Sequence, residues 1–182
     1  MYYTQLERAV KFAVKAHQGQ KRKDGVDFIC HPITVGMMLQ QIGMKEKYII
    51  IGFLHDIIED TSYNYNDIKE RFGDEIADAV RGLSEDKKIK DYKLRKAAFM
   101  AQIQNLEDNN LMYIECADKL HNLLYDYAKN PNIIADYSER RRWYYFEMQK
   151  IINQRCQGPL VARFNEMITF LKPLDEEEKK DQ

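Results

Sequence analysis

The residues best suited to chemistry are His31, next to a proline, the adjacent pair His55-Asp56 inside an apolar run, and Asp118 in a later apolar stretch. Imidazole nitrogens mixed with carboxylate oxygens suit one divalent transition ion that keeps positions open for water and phosphate, which points to hydrolysis. Glu59 and Asp60 follow Asp56 by three and four residues. On a helix that is about one turn, beside the ion rather than on it, where a carboxylate can orient water, accept its proton or return a proton to a leaving oxygen. Glu59-Asp60-Thr61-Ser62 also reads as a helix exit with solvated acids. Basic Arg22 and Lys23, in Arg22-Lys23-Asp24-Gly25, precede His31, the first proposed ligand, and offer anion capture.

His55 and Asp56 would point about a hundred degrees apart on a helix, so an ion meets both only by sitting between their directions. Ile49-Ile50-Ile51-Gly52-Phe53-Leu54 before the pair and Ile57-Ile58 after it make an unpaired carboxylate there costly to desolvate. Metal binding offsets that cost; a helix-end ion pair or a capped histidine is the plainer explanation. Asp118 and Asn122 lie four apart in Ile114 to Leu124 and share a face. One reading gives the ion a carboxylate and sets an amide one turn along for a phosphate or sugar; the other is a buried polar pair between helices. His121 is expected to be packing or surface rather than a ligand.

These residues have to be positioned by helices. Apolar residues recur at three- and four-residue spacing, only four prolines interrupt the chain, and no strand alternation stands out. The expected fold is an all-α, single-domain helical bundle over residues 1–172, with a charged tail from 173 to 182. Leu6, Val10, Ala13, Val14 and His17 should line one face of a first helix ended by Gly19. His31-Pro32 should open a second, with Ile33, Val35, Met38, Leu39 and Ile42 inward. Tyr48 to Ile58 reads as one enclosed central helix. Asn66 and Asp67 offer a cap for the next segment, and helices are expected over 91–106, 111–128, 133–152 and 160–171.

The chain carries 45% hydrophobic and 31% charged residues with a net charge of -1, so a general nucleic-acid footprint is not expected. Local clusters at 21–23, 87–90 and 140–142 can face a small polyanion or simply lie on a solvated surface. Three widely spaced cysteines argue for a reducing compartment. Cys30 and Cys116 sit close to proposed ligands, which suits small buried thiols better than a thiolate zinc site. With no signal-like apolar start and no 18-residue apolar run, the expectation is a cytoplasmic protein that enters no membrane.

Five motifs stand in order: His17-Gln18-Gly19-Gln20-Lys21-Arg22-Lys23-Asp24-Gly25; Phe28-Ile29-Cys30-His31-Pro32; His55-Asp56-Ile57-Ile58-Glu59-Asp60-Thr61; Ser84-Glu85-Asp86-Lys87; and Ala117-Asp118-Lys119-Leu120-His121-Asn122. Together they resemble the HD-domain phosphohydrolases, and within them the guanosine-polyphosphate (ppGpp) hydrolases of the RelA/SpoT type, including small stand-alone homologues. The likeness spans roughly residues 5 to 150. It implies an all-helical hydrolase that binds Mn2+ through His31, His55, Asp56 and Asp118, uses Glu59 and Asp60 on the nucleophilic water, and removes the 3′-pyrophosphate of ppGpp or pppGpp to leave GDP or GTP. It places Arg22 and Lys23 near base and phosphate and Asn122 near the ribose. It also nominates Tyr145 and Arg141, from an aromatic run that reads equally as a core stripe. Lys23 with the loop from Lys87 to Lys93 would hold the diphosphate.

Three departures stand out: Asp27-Phe28-Ile29 for Pro-Tyr-Ile, Glu115 for a lysine, and Leu124-Tyr125 where an arginine is usual. One cation fewer and one anion more should weaken the hold on a polyanion. That keeps open another nucleotide (a deoxynucleotide, an NADPH-like dinucleotide or another signalling nucleotide) or a regulator that binds without hydrolysis. No synthetase segment follows the bundle, so alarmone synthesis is not expected.

Overall fold

The structure, a computed structural model, describes residues 4–135 and 137–171. The charged tail read at 173–182 lies outside them. Eleven helices follow one another among the described residues: α1 (Gln5–Ala16), α2 (Cys30–Gln41), α3 (Glu46–Leu54), α4 (Ile57–Asp60), α5 (Tyr65–Phe72), α6 (Asp74–Gly82), α7 (Tyr92–Gln104), α8 (Leu111–Lys129), α9 (Pro131–Ala135), α10 (Glu139–Arg155) and α11 (Pro159–Ile168). Among the described residues the only strand-like pairing is an isolated bridge between Lys21 and Asp27 in the first loop. The fold class is all-α, as the periodicity requires.

Helix starts follow local chemistry. Thr4 and Glu7 form a capping box on α1, each side chain meeting the other's backbone N–H. Asn64 does the same for α5 with Asp67. The cap is therefore Asn64 rather than Asn66 or Asp67: Asp67 sits at the third helical position, where its carboxylate accepts from the Asn64 N–H at 2.9 Å. Pro32 lies in the first turn of α2, where its missing N–H costs nothing.

α3 is the central element, buried from Tyr48 through Leu54 and packed by α1, α2, α6 and α8. α8 is the second axis, meeting α2, α3, α9, α10 and α11. Fully buried Leu39 of α2, Ile51 and Leu54 of α3, and Ile114 and Leu120 of α8 belong to one core, each contributing roughly 1.5–3 kcal/mol of apolar burial. α2, α3 and α8 thus touch pairwise, and the start of α2, the end of α3 and the middle of α8 are where the chemistry lies. α2 and α3 approach closely because both carry a glycine at the contact. A Cβ built on Gly52 would stand 2.6 Å from Leu39 Cδ1 and 3.3 Å from Gly36 Cα; one on Gly36 would stand 2.2 Å from the Phe53 ring.

Three further expectations need correction. Val14 is 49% exposed, because the buried face of α1 runs through Ala9, Phe12 and Ala13. The helix read from Tyr48 to Ile58 is interrupted at His55-Asp56, where Asp56 flattens to ψ -3. His55 Nδ1 lies 2.8 Å from the Gly52 carbonyl, the acceptor that a continuing helix would offer to the Asp56 N–H. The helix read from 133 to 152 is two, since Ser138 is extended at ψ 151 and Tyr137 turns inward, its hydroxyl donating to Asp126 Oδ2 at 2.6 Å.

Candidate metal centre and its cleft

The three helices that touch pairwise each deliver one donor to a common point. His31 comes from the first turn of α2, His55 from the end of α3, and Asp118 from the middle of α8. Their donor atoms all lie within 4.8 Å of one another and all three residues are buried. His31 Nε2 is 3.0 Å from Asp118 Oδ1 and 3.5 Å from Asp56 Oδ2, and the same Asp56 oxygen is 3.2 Å from His55 Nε2. Asp56 therefore touches both imidazoles at the edge of the trio.

The donors fit a divalent cation by their chemistry. His55 Nδ1 is held by the Gly52 carbonyl, so one ring proton lies there and Nε2 is left facing the carboxylates, open to a second proton or to a cation. That Nε2 is buried and makes no hydrogen bond among the described residues, a costly state unless something with positive charge meets it. Burial pushes the His55 imidazole down, but the Asp56 and Asp118 carboxylates outweigh it and carry it up to about 10. For Asp56, burial pulls upward and loses to the His55 and His31 charges, leaving it at about 2. Asp118 is held well below the carboxylate range: burial opposes this, and Lys119 and the two histidines prevail. Fields that hold a proton on imidazole between two carboxylates also attract a metal ion.

Glu59 and Asp60 project from α4 into the same cleft, which has a volume of about 650 Å³. Glu59 Oε2 accepts from the Glu85 N–H at 3.0 Å, and Lys87 Nζ lies 2.7 Å from Glu59 Oε1 and 3.2 Å from Asp60 Oδ1. Burial first, and the Asp56 charge second, raise both carboxyls above their ordinary values despite Lys87. Lys87 does not stand free for a diphosphate: it is absent from the cleft lining and its ammonium is tied to these two acids. Their charges overcome its partial burial and push it up to about 12.

The basic loop is docked on α8. Arg22 donates to Asn122 Oδ1 at 3.3 Å, and its guanidinium lies 3.9 Å from the centre of the Tyr125 ring. Tyr125 also donates to Asp24 at 2.6 Å, and Lys129 pairs with Asp24 at 2.7 Å. Tyr125, a departure from the expected pattern, thus becomes the platform on which the loop sits. Asn122 donates to Asp118 Oδ1 at 2.7 Å and so bridges the trio and Arg22. Lys23 also lines the cleft. Arg141 lines it too, bonded to Asp126 at 3.0 Å. Tyr145 does not: it is 4% exposed, among the rings of Tyr137 and Tyr144, and the core-stripe reading describes it.

Two residues at the site, Lys119 and His121, escaped the sequence reading. Lys119, buried, forms an ion pair with Asp118 and stands 3.2 Å from Glu115. That pairing neutralises the Glu115 departure, whose carboxyl burial carries up to about 7 against the pull of Lys119. His121 is neither surface nor passive packing: its Nδ1 lies 2.6 Å from His31 Nδ1. Its spacing of three from Asp118 was the available signal.

Fold and site together define an all-helical bundle built around a histidine–aspartate donor cluster. The chain belongs to the HD-domain family, whose model matches residues 9–140. Among curated relatives, a protein of Aquifex aeolicus named guanosine-3′,5′-bis(diphosphate) 3′-pyrophosphohydrolase is 38% identical over 121 residues, 65% of this chain and 17% of that one. A Streptomyces coelicolor protein named GTP pyrophosphokinase is 36% identical over 121 residues, 65% of this chain and 14% of that one. The chain therefore spans under a fifth of the length of these relatives. Among solved structures, a metazoan ortholog of SpoT, described as hydrolysing ppGpp, superposes with a TM-score of 0.76 at 21% identity over 93% of this chain and 97% of its own. A protein of Listeria monocytogenes EGD-e gives 0.68 at 25% identity over 77% and 92%.

Proposed function

We propose that this chain is a Mn2+-dependent hydrolase that removes the 3′-pyrophosphate of ppGpp or pppGpp. The observation that carries the reading is the pair of acids at the cleft wall, Glu59 half-buried and Asp60 more exposed, both raised in proton affinity and facing the same cleft as the His31–His55–Asp118 trio. The name of the Aquifex aeolicus relative and the activity ascribed to the metazoan structure support the choice of substrate.

Asp56 completes the ligand set, since its Oδ2 touches both imidazoles. When bound, the cation lowers the pKa of water and takes up negative charge on phosphate. Glu59 accepts a proton from the attacking water, whose oxygen bonds to the phosphorus on the ribose 3′ oxygen. The bond between that phosphorus and the 3′ oxygen breaks, and Asp60 returns a proton to the leaving oxygen. Lys87 bridges the two acids and tempers their proton affinity. Arg22 and Lys23 from the first loop, with Arg141 opposite, hold the polyanion. Asn122, one turn from Asp118, faces the sugar.

The test is a nucleotide panel with Mn2+, products resolved by anion exchange. The expected result is GDP with stoichiometric pyrophosphate from ppGpp, and GTP with pyrophosphate from pppGpp. Intact ppGpp beside turnover of a deoxynucleoside triphosphate or NADPH would overturn the substrate, and tight ppGpp binding without turnover would overturn hydrolysis.

A further inference from the structure

We propose that His121 is the positioning residue for His31: it accepts the His31 Nδ1 proton and thereby presents His31 Nε2, unprotonated, to the cation. The inference rests on the reading of His31 as a ligand.

Two imidazole nitrogens 2.6 Å apart, His31 Nδ1 and His121 Nδ1, must share one proton between them. With none, two lone pairs collide; with two, two N–H groups do. If His121 donates, the proton of neutral His31 resides on Nε2 and points at Asp118 Oδ1, 3.0 Å away. If His31 donates, Nε2 offers a lone pair at the same place. Only the second arrangement admits a cation beside Asp118.

The other histidine of the trio shows the same device in simpler form. His55 Nδ1 meets the Gly52 carbonyl at 2.8 Å, and its Nε2 is left for the centre. Among the described residues no backbone carbonyl meets His31 Nδ1, and α8 supplies a side chain instead. Asp118 and His121 are three residues apart on α8, and they meet the two nitrogens of one ring. A single helix therefore fixes both where His31 points and which nitrogen carries its proton. The rings lie 4.9 Å apart, inclined by 32°. Partners of this kind on metal-bound histidines are commonly worth 10- to 100-fold in metal affinity.

Two substitutions separate hydrogen bonding from packing. His121→Phe keeps a flat ring without an acceptor; His121→Gln keeps an acceptor without the ring. Titration calorimetry with Mn2+ should show affinity weakened about 10- to 100-fold in the Phe variant and largely recovered in the Gln variant. Wild-type affinity in the Phe variant, or an equal loss in both, would overturn the assignment. Nitrogen-15 NMR of the wild-type protein loaded with diamagnetic Zn2+ adds a readout independent of either variant's folding: the His121 proton should lie on Nε2, and a proton on its Nδ1 contradicts the proposal. If wild-type protein takes up no Mn2+, the metal reading itself falls, which is distinct from a selective failure at His121.

Discussion

His55 Nε2 concentrates the case at the residue scale: a buried nitrogen without a hydrogen bond, aimed at carboxylates that favour positive charge. Around it, the roles of Asp118 and Glu59 separate experimentally. Asp118→Ala should lose both metal and turnover, since it removes a donor from the trio. Glu59→Gln should keep metal and lower kcat by about 10²–10⁴, the usual worth of a positioned proton acceptor. Equal metal loss in both would move Glu59 onto the ion. The sign of the pH dependence follows from its environment. Burial and Asp56 raise Glu59, and it accepts a proton only when ionised, so kcat/KM should fall on acidification through an apparent pKa above the ordinary carboxylate value. That limb should vanish in Glu59→Gln.

That His31, His55 and Asp118 would converge, with Glu59 and Asp60 beside them, was readable because polar residues on apolar helices demand a reason. Lys87, Tyr145, Lys119 and His121 were not, because a sequence shows which face a residue occupies and not what stands across from it. Lys87 meets acids 27 and 28 residues earlier in the chain, and His121 meets a ring 90 residues away.

At the scale of elements, the trio depends on how closely α2 and α3 approach. Gly36 and Gly52 set that distance, and Gly52 also supplies the carbonyl that orients His55. Gly52→Ala should cost roughly 1–3 kcal/mol of stability through overpacking and weaken Mn2+ binding as well, because it moves the helix carrying His31 away from the one ending at His55. Thermal denaturation and metal titration on the same variant check this; a stable protein with unchanged affinity would show that the contact does not set the site. Most helices were legible from apolar spacing and from punctuation by Gly43, Gly73 and Pro159. The breaks at His55-Asp56 and at Tyr137-Ser138 were not. Each arises where a side chain takes a distant or competing partner, His55 with the Gly52 carbonyl and Tyr137 with Asp126, and periodicity carries no trace of such competition.

Across the whole molecule, a net charge of -1 hides a strongly organised interior. Acids and bases on α4, α7, α8 and the loop before α7 line one cleft, arranged in pairs such as Glu85 with Lys96 and Asp118 with Lys119. The first loop is lashed to α8 by Arg22, Asp24, Tyr125 and Lys129, so an anion entering the cleft meets a docked loop. No helix among the described residues is long and apolar enough to cross a membrane. The central claim is that α2, α3 and α8 hold one divalent cation between them. Anomalous scattering from crystals grown with Mn2+ tests it most directly. The account predicts a single strong peak about 2.0–2.4 Å from His31 Nε2, His55 Nε2 and one oxygen each of Asp56 and Asp118. Density free of any peak at that point, in crystals where Mn2+ is abundant, would contradict it.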